Sequence, residues 1–272
     1  MTTTKASARK PKASSKEGIA KAWPTEGITD IGALSVIAKP EYVAWIDLMG
    51  ARGWMAGSIR RAAEMIALIH VAGHRAAKKY NVKVYPVIDG IYLIGEEKRQ
   101  FRSATSLVMR ILAATFLARD KQDRRFLVRG GIAYGRVLHG ADIAKIHDDL
   151  ESDPAYASCL ALGIAIGQAF EAEKKAPPFG YYVDFTARST ASENESPYIS
   201  AFSRWWNVKT QSIEAQKFGS QIENYFEYLE SRRHELEYSE DRMKQHRNLA
   251  KEYFNRLDEA ITFQQATSET GQ

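Results

Sequence analysis

Two acids in this 272-residue chain stand where reactive chemistry could use them. Asp47 closes the apolar run "YVAWIDLM" (42–49), and Asp89 sits between two further apolar runs in "VKVYPVIDGIYLIGE". Desolvating an unpaired carboxylate at the end of a buried strand costs several kcal/mol, so Asp47 needs a partner. Two aspartates with a backbone carbonyl, here that of Leu48, form a hard oxygen set that suits Mg²⁺ or Mn²⁺ and a substrate's phosphates. The turn after Asp47 runs Met49-Gly50-Ala51-Arg52 into a helical pattern and offers backbone N–H groups to phosphate. Asp-Gly between strands is also a plain hairpin signal, and a strand-end Asp is ordinarily hydrogen-bonded structure. What singles this pair out is the order strand acid, glycine turn, helix, hairpin acid.

The elements around these residues follow from periodicity. The run 42–49 is rich in aromatic and β-branched residues and reads as a strand, and 55–80 repeats apolar residues at helical spacing through Ile59, Ala62, Met65, Ile66, Ile69 and Ala72. The two runs flanking Asp89-Gly90 form a hairpin, and 98–119 is a second helix through Leu107, Ile111, Leu112 and Phe116. "RFLVRGGIAYGRVLHG" (125–140) reads as a strand pair punctuated by glycines, and 156–174 as a third helix. "GYYVDFT" and "SRWWNVK" add short strands, with Trp205 and Trp206 as core or dimer contacts. From 212 onward, Phe218, Ile222, Tyr225 and Leu229, then Met243, Leu249 and Tyr253, mark two amphipathic helices that pack on the domain or on a second subunit. The order β-α-β-β-α-β describes an α+β fold with a ferredoxin-like split βαβ core. In such a sheet the first strand neighbours the hairpin, so both acids converge at one edge.

Composition narrows the classes. The formal net charge of +5 is carried by residues 1–16, which hold Lys5, Arg9, Lys10, Lys12 and Lys16 and no acid. Residues 1–20 therefore read as a disordered basic tail, and no nucleic-acid partner is expected, because such a fold would hold its basic charge on the folded part. No apolar run approaches the roughly 18 residues that span a bilayer, and no apolar segment of a signal peptide follows the N-terminus. A cytoplasmic protein without a membrane partner is expected. The lone cysteine, Cys159, excludes an internal disulfide and reads as a small core residue. His70 and His74 share a helix face but lack a third ligand.

Three segments, "WIDLMGARGWM", "VYPVIDGIYLIGE" and "FLVRGGIAYGRVLHG", resemble the three central motifs of class III nucleotidyl cyclases, in their usual order. Arg129, Gly131, Ile132 and Gly135 match the family's Arg-x-Gly-Ile-x-x-Gly, and "LGIAIGQAFEAE" is similar to its third helix in many bacterial members. The resemblance covers about 40–262 and implies a catalytic domain over 40–210 followed by helices over 211–265. It implies two Mg²⁺ or Mn²⁺ ions per site, held by Asp47, Asp89 and the Leu48 carbonyl. It further implies a nucleoside triphosphate substrate, a homodimer with the site between subunits, and triphosphate contacts from Arg129 and the Met49–Arg52 turn. Lys209 is a further candidate for the site's positive charge.

The departures from the family point to the base. Adenylate-specific members place Lys four residues before the hairpin acid and Asp in the third helix; here those positions are Tyr85 and Ile164. A purine edge would be left with unpaired polar atoms, at roughly 1–3 kcal/mol per group, and the bulk of Tyr85 favours a pyrimidine. In this the chain resembles the bacterial pyrimidine cyclases of Pycsar anti-phage systems, which make cyclic UMP or cyclic CMP to activate a companion effector. The family's helix Asn and Arg fall on Gly167 and Glu171. A catalytically degenerate nucleotide-binding or dimerisation module, or a purine cyclase, are the alternative readings.

Overall fold

The computed structural model describes residues 38–189, 198–206, 212–233 and 238–255. The first strand, β1 (Lys39–Leu48), leads through helix α1 (Ala51–Gly57) to the long helix α2 (Ile59–Lys79). Ser58 breaks the expected single helix in two. Its backbone is extended, and its hydroxyl accepts from the Arg61 amide at 3.4 Å, which caps α2. The hairpin of β2 (Lys83–Val87) and β3 (Gly90–Gly95) follows, then α3 (Lys98–Leu117) and β4 (Val128–His139). A two-residue strand, β5 (Ala161–Leu162), precedes α4 (Ile164–Glu173). The short strands β6 (Tyr181–Val183) and β7 (Phe202–Ser203) and the helices α5 (Ser212–Ser231) and α6 (Glu240–Asn255) follow, with several helical turns of three to five residues between these elements.

The sheet runs β2-β3-β1-β4-β6-β7, with β5 beside β4. The β2–β3, β3–β1 and β1–β4 pairs are all antiparallel, which is the strand order of a ferredoxin-like split βαβ core. Alternation divides β1 between two cores. Tyr42, Ala44, Ile46 and Leu48 face the large core shared with α2 and α3, while Val43 and Trp45 face a smaller one with α4.

Several expectations need correction. The segment expected as a strand pair is one continuous strand, β4, whose glycines admit neighbouring elements: a Cβ on Gly131 would lie 2.1 Å from the Ala169 carbonyl oxygen of α4. The third helix begins at Ile164 rather than near 156, because β5 pairs with the end of β4 through His139 and Ala161. Cys159 is exposed, outside the core. Of "SRWWNVK", only Ser203 is in a strand, and 207–209 lie outside the described residues, as do the tail at 1–20 and the chain after 255.

The C-terminal helices pack on their own chain. Phe218 and Tyr225 of α5 meet Phe116 of α3 at ring-centroid distances of 5.6 and 5.5 Å, and Phe254 of α6 stacks on Trp206 at 5.2 Å. They belong to the large core itself. No helix among the described residues is long and apolar enough to cross a membrane.

Candidate active site

Register brings the two acids together. Asp47 lies opposite Gly90 on β3 and opposite Arg129 on β4, and the Leu48 amide donates to the Asp89 carbonyl oxygen at 3.3 Å. Gly90 is required for this approach, since a Cβ there would lie 2.4 Å from the Ile46 carbonyl oxygen and 2.5 Å from the Trp45 ring. Directly opposed residues of an antiparallel pair share a face, so Asp47, Arg129 and the smaller core lie on one side of the sheet.

The electrostatics around Asp47 are unusual. Its pKa is pushed up to about 8, first by burial, then by the charges of Glu173 and Asp89, against the pull of Arg129 and of the Leu48 backbone hydrogen bond. Crowding of three carboxylates around one arginine is an arrangement that a divalent cation would relieve, so the donor set fits such an ion. Among the described residues no cluster of three or more His, Cys, Asp or Glu side chains could hold a metal. A metal here would rest on Asp47, Asp89 and backbone oxygen.

Arg129 is placed differently from the expected phosphate contact. Its guanidinium is buried, forms an ion pair with Glu173 at the end of α4, and contacts the Lys174 carbonyl oxygen at 3.4 Å and His246 Nε2 of α6 at 3.0 Å. The Tyr238 hydroxyl bonds the other ring nitrogen of His246. Burial, then the Arg129 and Arg242 charges, hold the His246 pKa down at about 3, so the ring is neutral beside the guanidinium.

In the glycine turn, the Met49 amide already donates to the Leu127 carbonyl oxygen at 2.9 Å. Gly50 has φ 74°, a left-handed conformation suited to glycine, and caps α1. Ala51 is buried and Arg52 is exposed. Tyr85 lies on the smaller-core face, opposite Tyr92, which in turn lies opposite Trp45. Its hydroxyl meets His139 Nδ1 at 2.6 Å, and His139 Nε2 meets Glu41 at 2.6 Å. Ile164, at the start of α4, is 70% exposed, so within one chain it is a surface residue. Gly167 and Glu171 are exposed on the same helix. Lys209 lies outside the described residues.

Sequence reasoning missed Glu41, Glu173, Tyr238, His139 and His246. A signal existed for Glu41, which continues the alternation 41, 43, 45, 47 along one face of β1, and for Glu173, which follows Ala169 at helical i, i+4 spacing. Nothing local marks His246, whose partner lies across the fold.

No protein-family model matches the chain, and no curated protein matches its sequence. Solved structures that align with it include guanylyl and adenylyl cyclases. The guanylyl cyclase domain of the RhoGC fusion protein from the aquatic fungus Blastocladiella emersonii aligns at 12% identity over 55% of this chain and 82% of that one, with a TM-score of 0.43. The guanylyl cyclase Cya2 aligns at 10% identity over 61% and 81%, with a TM-score of 0.43. The adenylyl cyclase CyaB from P. aeruginosa aligns at 13% identity over 54% and 78%, with a TM-score of 0.40. The fold assignment rests on the strand order and register above rather than on these alignments.

Proposed function

We propose that this chain is a nucleotide cyclase that converts a pyrimidine nucleoside triphosphate, UTP or CTP, into its 3′,5′-cyclic monophosphate and pyrophosphate. The observation that carries the proposal is the pairing of Asp47 with the Asp89 hairpin at one sheet edge, where burial, and then the Glu173 and Asp89 charges, raise the Asp47 pKa to about 8, so that a bound cation would favour its ionised form. Asp47, Asp89 and the Leu48 carbonyl would hold Mg²⁺ or Mn²⁺, which supplies Lewis-acid stabilisation of phosphate charge and of the attacking ribose 3′-oxygen. In the reaction the 3′-oxygen bonds to the α-phosphorus, the bond to the β-phosphate bridging oxygen breaks, and pyrophosphate leaves.

The chain's own residues would divide the remaining work. The Gly50–Arg52 turn and the exposed Arg52 guanidinium face the incoming triphosphate. Arg129, held by Glu173 and His246, supplies a fixed positive charge next to Asp47. Tyr85 lines the base pocket and, lacking the purine-reading lysine's charge, favours the smaller ring. A second copy completes the site, through the exposed Ile88 at the hairpin tip and Ile164 and Phe170 on α4. The cyclic product would act as a second messenger on a separate effector in anti-phage defence. One observation favours the non-catalytic alternative: Gly167 and Glu171 put no cation on α4 where the family has its transition-state pair.

Incubation of the purified protein with each of the four nucleoside triphosphates and Mn²⁺, with products identified by mass spectrometry, tests this. Cyclic UMP or cyclic CMP is the expected product, lost in Asp89→Ala with the circular dichroism spectrum unchanged. A cyclic purine product would overturn the pyrimidine assignment. Nucleotide binding without turnover would establish the non-catalytic module.

A further inference from the structure

Glu41, His139 and Tyr85 form a chain of side chains across three strands, buried at both ends and half-buried at His139, and nothing in the two-aspartate chemistry uses it. Glu41 comes from β1, opposite Gly135; His139 is the last residue of β4; Tyr85 is the middle residue of β2. Glu41 and Tyr85 are 4% and 7% exposed. Both contacts of the His139 ring are 2.6 Å, one to the Glu41 carboxylate and one to the Tyr85 hydroxyl. The two rings lie nearly parallel, 14° apart.

The polarity of this chain follows from its end. A carboxylate only accepts hydrogen bonds, so Nε2 of His139 must carry a proton to bond Glu41. With that single ring proton, Nδ1 is left as an acceptor and the Tyr85 hydroxyl donates to it, whereas a second proton on Nδ1 would reverse the bond. A phenol has one proton. Burial, and then the Glu41 charge, push the Tyr85 pKa up to about 12, so that proton stays on the oxygen. With the proton committed to His139, the oxygen can offer a ligand nothing but its lone pairs.

We infer that Glu41 and His139 are positioning residues that fix Tyr85 as a hydrogen-bond acceptor, so that the site selects a base presenting an N–H at that point, the N3–H of uracil or the N4 amino group of cytosine. The inference rests on the reading that Tyr85 lines the base pocket. It adds that specificity is set two residues behind the contact. A free tyrosine hydroxyl would rotate to donate or accept; a committed one pairs only with a donor and so fixes which edge of the base turns toward it, while exclusion of the larger purines stays with the bulk of Tyr85.

The protonation pattern is directly observable. In the full chain labelled with ¹⁵N-histidine, two-bond ¹H–¹⁵N spectra at neutral pH should show His139 with a proton on Nε2 and a bare Nδ1. Its signals are identified by their loss in His139→Phe or, should that variant not fold, by their shift in Tyr85→Phe. A proton on Nδ1, alone or together with Nε2, overturns the inference whatever the activity of the protein. The functional arm compares kcat/KM for UTP against 3-methyl-UTP and for CTP against N4,N4-dimethyl-CTP. Methylation should cost the preferred substrate about tenfold to a hundredfold in the wild type, and His139→Phe and Glu41→Leu should reduce that discrimination to within a few-fold of unity. Equal use of parent and methylated nucleotide by the wild type also overturns it. If Tyr85→Phe leaves the preference among the four triphosphates unchanged, the base-pocket reading has failed. If Tyr85→Phe alters that preference while His139→Phe and Glu41→Leu do not, the pocket stands and the relay is wrong.

Discussion

At the scale of single residues, Asp47 is both an electrostatic burden and the centre of the proposed chemistry. Its pKa is raised from an ordinary 3.8 to about 8, so between those values the folded chain holds a proton that the unfolded chain has lost. By linkage, stability falls as pH rises through that window and levels off above it. Asp47→Asn removes the charge while keeping the shape. It should raise the melting temperature at pH 8 by about 2–8 °C, corresponding to roughly 1–2 kcal/mol once solvent access is allowed for, and have almost no effect at pH 4. Differential scanning calorimetry with and without Mn²⁺ checks this, and only the wild type should gain stability from the ion. Asp47 and Asp89 were legible in the sequence because each interrupts an apolar run. Glu41 shares the alternation of that strand, but a charged residue following Pro40 at a strand start resembles ordinary solvent-facing sequence, which masked the signal. Glu173 was hidden in the same way by its neighbours Lys174 and Lys175, which suggest a solvated helix end.

At the scale of elements, the split βαβ order, the Asp-Gly hairpin and the first two helical segments were readable, since period and turn chemistry are local properties. The division of one glycine-rich strand into two was the main misreading. Glycine usually punctuates turns, whereas Gly131 is present because α4 presses on the strand: a Cβ would lie 2.1 Å from the Ala169 carbonyl oxygen and 2.3 Å from the Glu173 amide nitrogen, both backbone atoms. That requirement exists only once the helix is docked. Gly131→Ala should therefore cost at least about 2–3 kcal/mol in urea unfolding, far beyond the effect of adding a methyl to an open strand. It should also loosen the Glu173–Arg129 pair. An unchanged midpoint would mean that α4 does not seat on β4 as described.

At the scale of the whole molecule, the C-terminal helices were readable as amphipathic, but what their apolar faces cover was not. They complete the large core: Phe218, Tyr225 and Phe254 pack in the same cluster as Phe116 and Phe179. Truncation before Ser212 should thus leave no separable catalytic domain. Residues 1–211 should show a broad, non-cooperative thermal transition and bind hydrophobic dyes, because the removed helices would strip one side of the core. A sharp, cooperative transition in that fragment would contradict this account.

The bond from Arg129 to His246 joins residues 117 positions apart. Closing a contact of such long range carries the entropy of a very large loop. During synthesis the ribosome must release α6 before the arginine beside Asp47 acquires its imidazole partner. A nascent chain that already exposes both aspartates therefore still lacks an assembled charge network. Any chemistry at that sheet edge would start only once translation has delivered the last described helix.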